Sequence, residues 1–528
     1  MTSVPVHSVR LPNAMVSAVD VLATQAGVRA LRLGGSAVDA AIAANAVLGV
    51  TLPNQCGLGG DLFAIVQRTG EQPQVLTAAG RAGSGADAGQ LRDEGHRVMP
   101  REHDMRSVTV PGCLDGWLAL HARLGRLDFP VLLEDATRYA VEGFPVSAYF
   151  AGPLRRRAGA ERSVQADGPL TAVQAGDPIR RPGLARVLAA IADGGRSGFY
   201  LGEFGATLVQ LGDGQFVEDD LRIDQAQWTA PLSLDVWGRR LWTPAPPSQG
   251  YLTLSAAWLA QRAGLDSEPD DPAWAHLLIE AMRQAAVDRP AALFDGADGH
   301  ALLDPARLLP RAGRIRRDSV ADLSDSYRDG GTTFLSAVDE EGTAVALIQS
   351  NCMSFGSGIV AGDTGIWLHN RGIGFNLEPG HPAEYAAARR PPHTLAPVLL
   401  TDDRGEFDAA LGTRGGDSQP QILLQLLARL LVAGEHPAEA LAAGRWVLRG
   451  HADETSFDTW GSQGRVRVAL EGHAPSSWAG ALGELGHEVR VEAPFGHPFG
   501  HAQIIRRAPA GLIGAADPRA GTGAVGGY

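Results

Sequence analysis

The chain has 528 residues, a formal net charge of -13, 45% hydrophobic and 20% charged residues, a balance that fits a core-building globular protein and excludes a disordered or collagen-like one. All 46 basic residues are arginine, which excludes chemistry that depends on a lysine amine, such as a P-loop, a Schiff base or a Ser–Lys dyad. The acidic balance argues against nucleic acid as a partner, and Cys56, Cys113 and Cys352 are too dispersed for a disulfide framework or a zinc site.

In chain order, the N-terminus has no basic stretch leading into an apolar one, and no segment reaches the roughly 18 continuous apolar residues of a membrane span. The expectation is a cytoplasmic protein that meets no membrane. Residues 14–50 are Ala-rich and read as helix broken at Gly34-Gly35, with Ser36 as the N-cap of the second half. Cys56 to Asp61 is a tight glycine loop running into a buried strand at 62–66. Residues 112–142 read as helical. Residues 243–250, TPAPPSQG, form a rigid loop entering a helix at 251–262, and 274–294 reads as a long helix. Asp325 to Gly331 is polar and turn-prone. Residues 332–337 and 344–350 then read as two strands joined by a turn at Asp339-Glu340-Glu341-Gly342. Residues 351–380 are loop-rich, 420–433 and 436–448 read as helices, and the tail alternates short strands with glycine turns. Helices mixed with antiparallel hairpins predict an α+β layered sandwich, sheets inside and helices outside.

Several chemistries lack their pattern. H-E-x-x-H and clustered Cys/His ligands are absent, and Pro498 and Gly500 keep His497 and His501 off a common helix face. G-x-S-x-G is absent. Gly57, Gly59 and Gly60 precede a strand, the reverse of a dinucleotide fingerprint, and read as close backbone packing or an anion nest. Gly330-Gly331-Thr332-Thr333 reads, taken alone, as ordinary hairpin entry. A second reading is scission before Thr332. The freed threonine would carry a nucleophilic hydroxyl and, in its own α-amino group (pKa roughly 7.7–8.0), a general base.

The surroundings of Thr332 are more specific than the dipeptide. Thr332 to Asp339 (TTFLSAVD), Asn351 to Gly358 (NCMSFGSG) and Thr364 to Asn370 (TGIWLHN) resemble the γ-glutamyltranspeptidase family, whose members are N-terminal-nucleophile hydrolases made as proenzymes. Residues 34–63, VPGCLDGW at 110–117, PPSQG at 246–250, HLLIEAMRQAAVDR at 276–289, LGTRGGDSQPQ at 411–421 and the terminal GAADPRAGTGAVGGY extend the resemblance in order along nearly the whole chain. It implies a four-layer αββα sandwich, cleavage between Gly331 and Thr332, a large subunit 1–331 and a small subunit 332–528 forming one intertwined body. It also implies that Thr332 is the nucleophile, that Ser350 hydrogen-bonds to it, that Gly415 and Gly416 stabilise the oxyanion through their N–H groups, and that Arg81 grips a substrate carboxylate. No cofactor is implied.

The departures bear on substrate. Gly374 stands where transpeptidases carry an aspartate for the α-ammonium, Arg371 replaces a neutral amide, Pro392-His393-Thr394 replaces paired serines, and an asparagine is shifted to Asn351. A cation binder is lost and a cation gained. With Arg81, Asn351, Arg371, His393 and Thr394 as candidate substrate-binding residues, the expected substrate is a small amide of an acidic acyl group. Members of the family that resemble this pattern are oxamate amidohydrolases and glutaryl-type acylases. The rivals are a true γ-glutamyltransferase or glutathione hydrolase, an unprocessed binding protein, and a secreted capsule or peptidoglycan transferase. The partners expected are the substrate and the two subunits of one precursor; a homodimer of heterodimers is one of the assemblies left open.

Overall fold

A computed structural model describes residues 6–321, 331–450 and 466–528, with backbone only for Gly331 and Thr332. Two seven-stranded sheets form its centre. In the first, the strands run in the order Ala524–Gly527, Met15–Ala18, Gly331–Val338, Ala344–Cys352, Asp61–Gln67, Gln74–Ala78, Ala226–Thr229. In the second, the order is Val9–Leu11, Gly511–Ala516, Gln503–Ala508, Phe407–Gly412, Val398–Thr401, Arg239–Thr243, Leu232–Val236. Each strand pair within the two sheets is antiparallel. Both sheets contain strands from before and after position 331, so neither half of the chain owns a sheet.

Alternation along the strands sets the layers. Phe63, Ile65, Phe334, Ala346 and Ile348 face the second sheet and pack with Leu399, Ala410 and Ile505. Their neighbours Leu62, Ala64, Leu335, Ala337, Val345 and Leu347 face outward under the helices Val21–Arg32, Ala37–Thr51 and Cys113–Leu124. On the second sheet Val398, Leu400, Ala409, Leu411 and Ile504 pack outward under Tyr251–Arg262, Pro272–Ala286 and Gln419–Leu431. The result is helix, sheet, sheet, helix: the four-layer αββα sandwich. Strands apolar on both faces are the expected product of a sheet covered on both sides. Among the described residues, no helix is long and apolar enough to cross a membrane.

Ser36 caps Ala37–Thr51 through a reciprocal box with Asp39, and the helix at 251–262 and the hairpin 331–352 form as expected. Four expectations change. Residues 15–18 are a strand, paired to Leu335–Val338 on one side and Ala524–Gly527 on the other. The helical stretch 112–142 splits into Cys113–Leu124 and Phe129–Glu142, and 274–294 into Pro272–Ala286 and Arg289–Ala292. Helix at 436–448 ends at Ala442, and Trp446–Gly450 is a strand beside Val466–Glu471. A short apolar run is compatible with either state, and the partner strand decides. The turn-prone residues 325–330 lie outside the described residues.

Candidate active site

The strand Ala344–Cys352 brings Ser350 opposite Asp61 in the register of the first sheet, one strand over from Gly331–Val338. Gly60 makes that approach possible. A Cβ there would lie 2.3 Å from the Ser350 carbonyl oxygen, so the glycine loop serves close backbone packing. Ser350 is fully buried; its Oγ accepts the Cys352 N–H at 2.8 Å and an Arg371 Nη2–H at 3.3 Å. Pairing between Gly331–Val338 and Ala344–Cys352 shifts register between Gly331 and Thr333, placing a backbone irregularity at position 332. The Thr332 side chain, and so the expected Ser350 contact to it, lies outside the described residues.

Arg371 opens a short 3-10 turn, Arg371–Gly374, and is buried. Nη1 donates to Thr394 Oγ1 at 2.9 Å and Nη2 to Ser350 Oγ, while Nε has no hydrogen-bond partner among the described residues. No carboxylate among the described residues forms an ion pair with it. The guanidinium lines a cavity of about 330 Å³ together with Thr394, Arg289, Asp417, Arg97 and Arg101. Arg289 is tied to Asp417 at 2.9 Å and to Gln249 Oε1 at 3.1 Å. Gln249 Nε2 in turn donates to the carbonyls of Thr394 and Gly416, stitching two walls of the cavity together.

Gly415 and Gly416 have φ of 141° and 55°, a backbone that side chains rarely adopt. They lead through a 3-10 turn, Gly416–Ser418, into the helix Gln419–Leu431. N–H groups at such a start have no intrahelical acceptor and carry the positive end of the helix dipole, suited to an oxyanion.

Three of the expected binding residues have other tasks. Asn351 Nδ2 donates to the Pro53 carbonyl at 3.0 Å, fixing the 53–55 turn. Arg81 is outside the cavity lining; its Nη1 donates to the Asp224 carbonyl at 3.3 Å and Gln225 Oε1 at 3.2 Å. His393 is fully buried, with Nε2 3.1 Å from Asp61 Oδ2 and Nδ1 accepting the Leu395 N–H at 3.3 Å. That pattern sets the tautomer: Nε2 carries the proton. Burial and Arg371 push His393 down to about 3 against the pull of Asp61, so the ring is neutral at neutral pH. Burial raises the Asp61 carboxyl, but His369, His393 and Arg371 outweigh it and hold it at about 2. Burial likewise pushes the Cys56 thiol up to about 12 and Cys352 to about 11, so neither is a thiolate.

Sequence reasoning missed Asp61, Gln249, Arg289 and Asp417 as individuals. All four fall inside the motif segments 34–63, 246–250, 276–289 and 411–421, where the signal was a string rather than a role. Gly374, by contrast, gains a physical reason: a Cβ there would sit 2.5 Å from the Pro392 carbonyl oxygen, leaving no space for a side chain.

Comparison with known proteins agrees with this layout. A family model described as gamma-glutamyltranspeptidase matches residues 23–527. The chain is 35% identical to an oxamate amidohydrolase proenzyme of Klebsiella pneumoniae, over 96% of this chain and 97% of that one. It is 33% identical to the glutathione hydrolase-like YwrD proenzyme of Bacillus subtilis, over 97% and 98% of the two chains. A solved cephalosporin acylase from Bacillus halodurans superposes with a TM-score of 0.87 at 30% identity, covering 99% of this chain and 97% of that one. A match of this extent, on a fold of the same four layers, leaves one conclusion: the chain belongs to the gamma-glutamyltranspeptidase family.

Proposed function

We propose that this protein is a self-processing amidohydrolase that cleaves small amides of acidic acyl groups. The observation that carries the reading is Arg371: a buried guanidinium in a cavity, met by two hydroxyls and, among the described residues, by no carboxylate. Asp61, whose carboxyl pKa Arg371 helps to lower, is a nearby opposite charge but makes no ion pair with it; a buried cation with an incomplete set of contacts is costly unless a ligand completes it. A substrate carboxylate would do so, in the bidentate geometry that arginine favours. The absence of room for an acidic side chain at Gly374 supports an acyl group without an α-ammonium. The similarity to an oxamate amidohydrolase proenzyme points the same way.

In this reading the Thr332 hydroxyl attacks the Gly331 carbonyl, an N-to-O acyl shift follows, and hydrolysis frees Thr332 as the start of a 332–528 subunit. The substrate amide then acylates Thr332, whose α-amino group takes the hydroxyl proton and passes it to the leaving amine. Gly415 and Gly416 N–H groups hold the oxyanion, and water releases the acid. Ser350 and Thr394 orient Arg371 on the acyl carboxylate.

The test combines a denaturing gel with an amide panel. The wild type should give two species of 331 and 197 residues and hydrolyse oxamate or glutaryl amides in preference to γ-glutamyl-p-nitroanilide. Thr332→Ala should stay a single chain and lose activity by at least about a thousandfold, the scale of removing a catalytic nucleophile. Brisk γ-glutamyl turnover with no hydrolysis of acid amides would overturn the substrate reading; an active Thr332→Ala would overturn the mechanism.

A further inference from the structure

Asp61 is not among the residues that line the Arg371 cavity, yet it governs one wall of it. Its Oδ1 accepts the N–H groups of Gly80 at 3.0 Å and Gly112 at 3.2 Å, and its Oδ2 takes the His393 Nε2–H. His369 Nδ1 stands 3.6 Å from the same Oδ2, its Nε2 committed to the Thr109 carbonyl at 2.8 Å. The carboxylate is therefore anchored by backbone on one side and holds an imidazole on the other. His393 is fastened further: its N–H donates to the Pro247 carbonyl at 2.7 Å, its carbonyl accepts from Gln249 N–H at 2.9 Å, and its ring lies 4.6 Å from that of Phe63.

The neighbours of His393 are the two atoms that shape the acyl end of the site. Thr394 Oγ1 receives Arg371. The Pro392 carbonyl fills the space beside Gly374. We infer that Asp61 is a positioning residue for acyl selectivity: through His393 it fixes the 392–394 segment, and that segment both aims Arg371 and closes the place where an ammonium-binding side chain would project. The inference rests on the acid-amide reading of the site. Asp61 touches neither substrate nor nucleophile in this role; it acts through His393. The sequence GLGGD at 57–61 and PPHT at 391–394 are far apart in the chain, and only the tertiary fold brings them together.

The experiment compares glutaryl-p-nitroanilide with valeryl-p-nitroanilide, which share a leaving group and a five-carbon acyl chain but differ in the terminal carboxylate. In Asp61→Asn, the amide nitrogen meets a second donor, the His393 Nε2–H, and the link breaks. The expected result is a rise in KM for the glutaryl substrate of about tenfold or more, with kcat and the valeryl parameters within about threefold, because a small misplacement of a binding group is felt only by the substrate that uses it. Gly374→Ala presses on the Pro392 carbonyl from the other side and should lower glutaryl preference in the same way with Asp61 intact. Equal losses on both substrates, or no loss on either, would overturn the positioning role while leaving the acid-amide reading in place. A wild type that fails to prefer glutaryl over valeryl would overturn that reading. The positioning role then stands or falls on a crystal structure of Asp61→Asn: Arg371 still on Thr394, with Pro392 unmoved, would refute it.

Discussion

Arg519 and Arg371 are both buried guanidinium groups, yet one is enclosed by carboxylates and the other contacts none among the described residues. Arg519 donates to Glu471 and Asp517, and Asp517 also holds Arg445 at 2.8 Å. Burial pushes Arg445 down to about 10, with Arg519 beside it, although Asp517 and Glu471 pull the other way. Arg181 is a third case, buried with no carboxylate partner among the described residues but enclosed by the carbonyls of Gly49, Val50, Ser163 and Gly365. What distinguishes Arg371 is therefore an incomplete shell opening on a cavity. A completed shell is structural; an incomplete one beside a void calls for a ligand.

The comparison breaks most severely at Arg519. Arg519→Met leaves Glu471 and Asp517 without their shared cation, which costs about 3–5 kcal/mol, and should appear as a large fall in thermal midpoint and soluble yield. A fully stable variant would show that the network is dispensable. Arg371→Met should do the reverse: little change in midpoint, but a rise of about 10–100-fold in KM for an acid amide, the worth of charge-assisted hydrogen bonds. Unchanged KM would place the carboxylate elsewhere.

Acid sharpens the contrast next. His393 and His487 are both lowered to about 3, chiefly by burial. Below the ordinary value of 6.5 the unfolded chain takes up protons that the folded chain refuses, so stability falls as pH falls from 6.5 toward 3, by up to about 1.4 kcal/mol per pH unit for each ring. His487→Gln keeps an N–H donor for His276 Nδ1 and should flatten the slope by one such increment in denaturant titrations at pH 6.5 and 5. An unaltered slope would mean that His487 titrates normally. The smallest effect is expected at Arg81, whose guanidinium is engaged with residues 224 and 225: Arg81→Ala should change KM by less than about threefold, as for a partly exposed arginine. A tenfold change would make Arg81 the carboxylate grip after all.

Legibility in the sequence followed local redundancy. The hairpin 331–352 was readable because apolar residues alternate on both sides of a turn whose Asp339 side chain accepts the N–H groups of Glu341 and Thr343. Met15–Ala18 was not, because the four residues Met-Val-Ser-Ala entering an Ala-rich run are too short to show a period of their own. Arg371 and Thr394 were named and do meet. His393 was named as a binder, but its ring turns to Asp61, since a chain position next to a site residue says nothing of which way a side chain points.

The sequence by itself determined the family, through ordered motifs along the chain, and the layered α+β architecture, through helices mixed with antiparallel hairpins. It also determined that no side-chain amine takes part, because the chain has no lysine. Only the tertiary structure decided which arginines line the cavity, that residue 374 has no room for a carboxylate, and that Asp61 and His393 share a bond across 332 residues of chain. These are relations between distant segments, set by packing and strand register, and no local pattern encodes a distance between them.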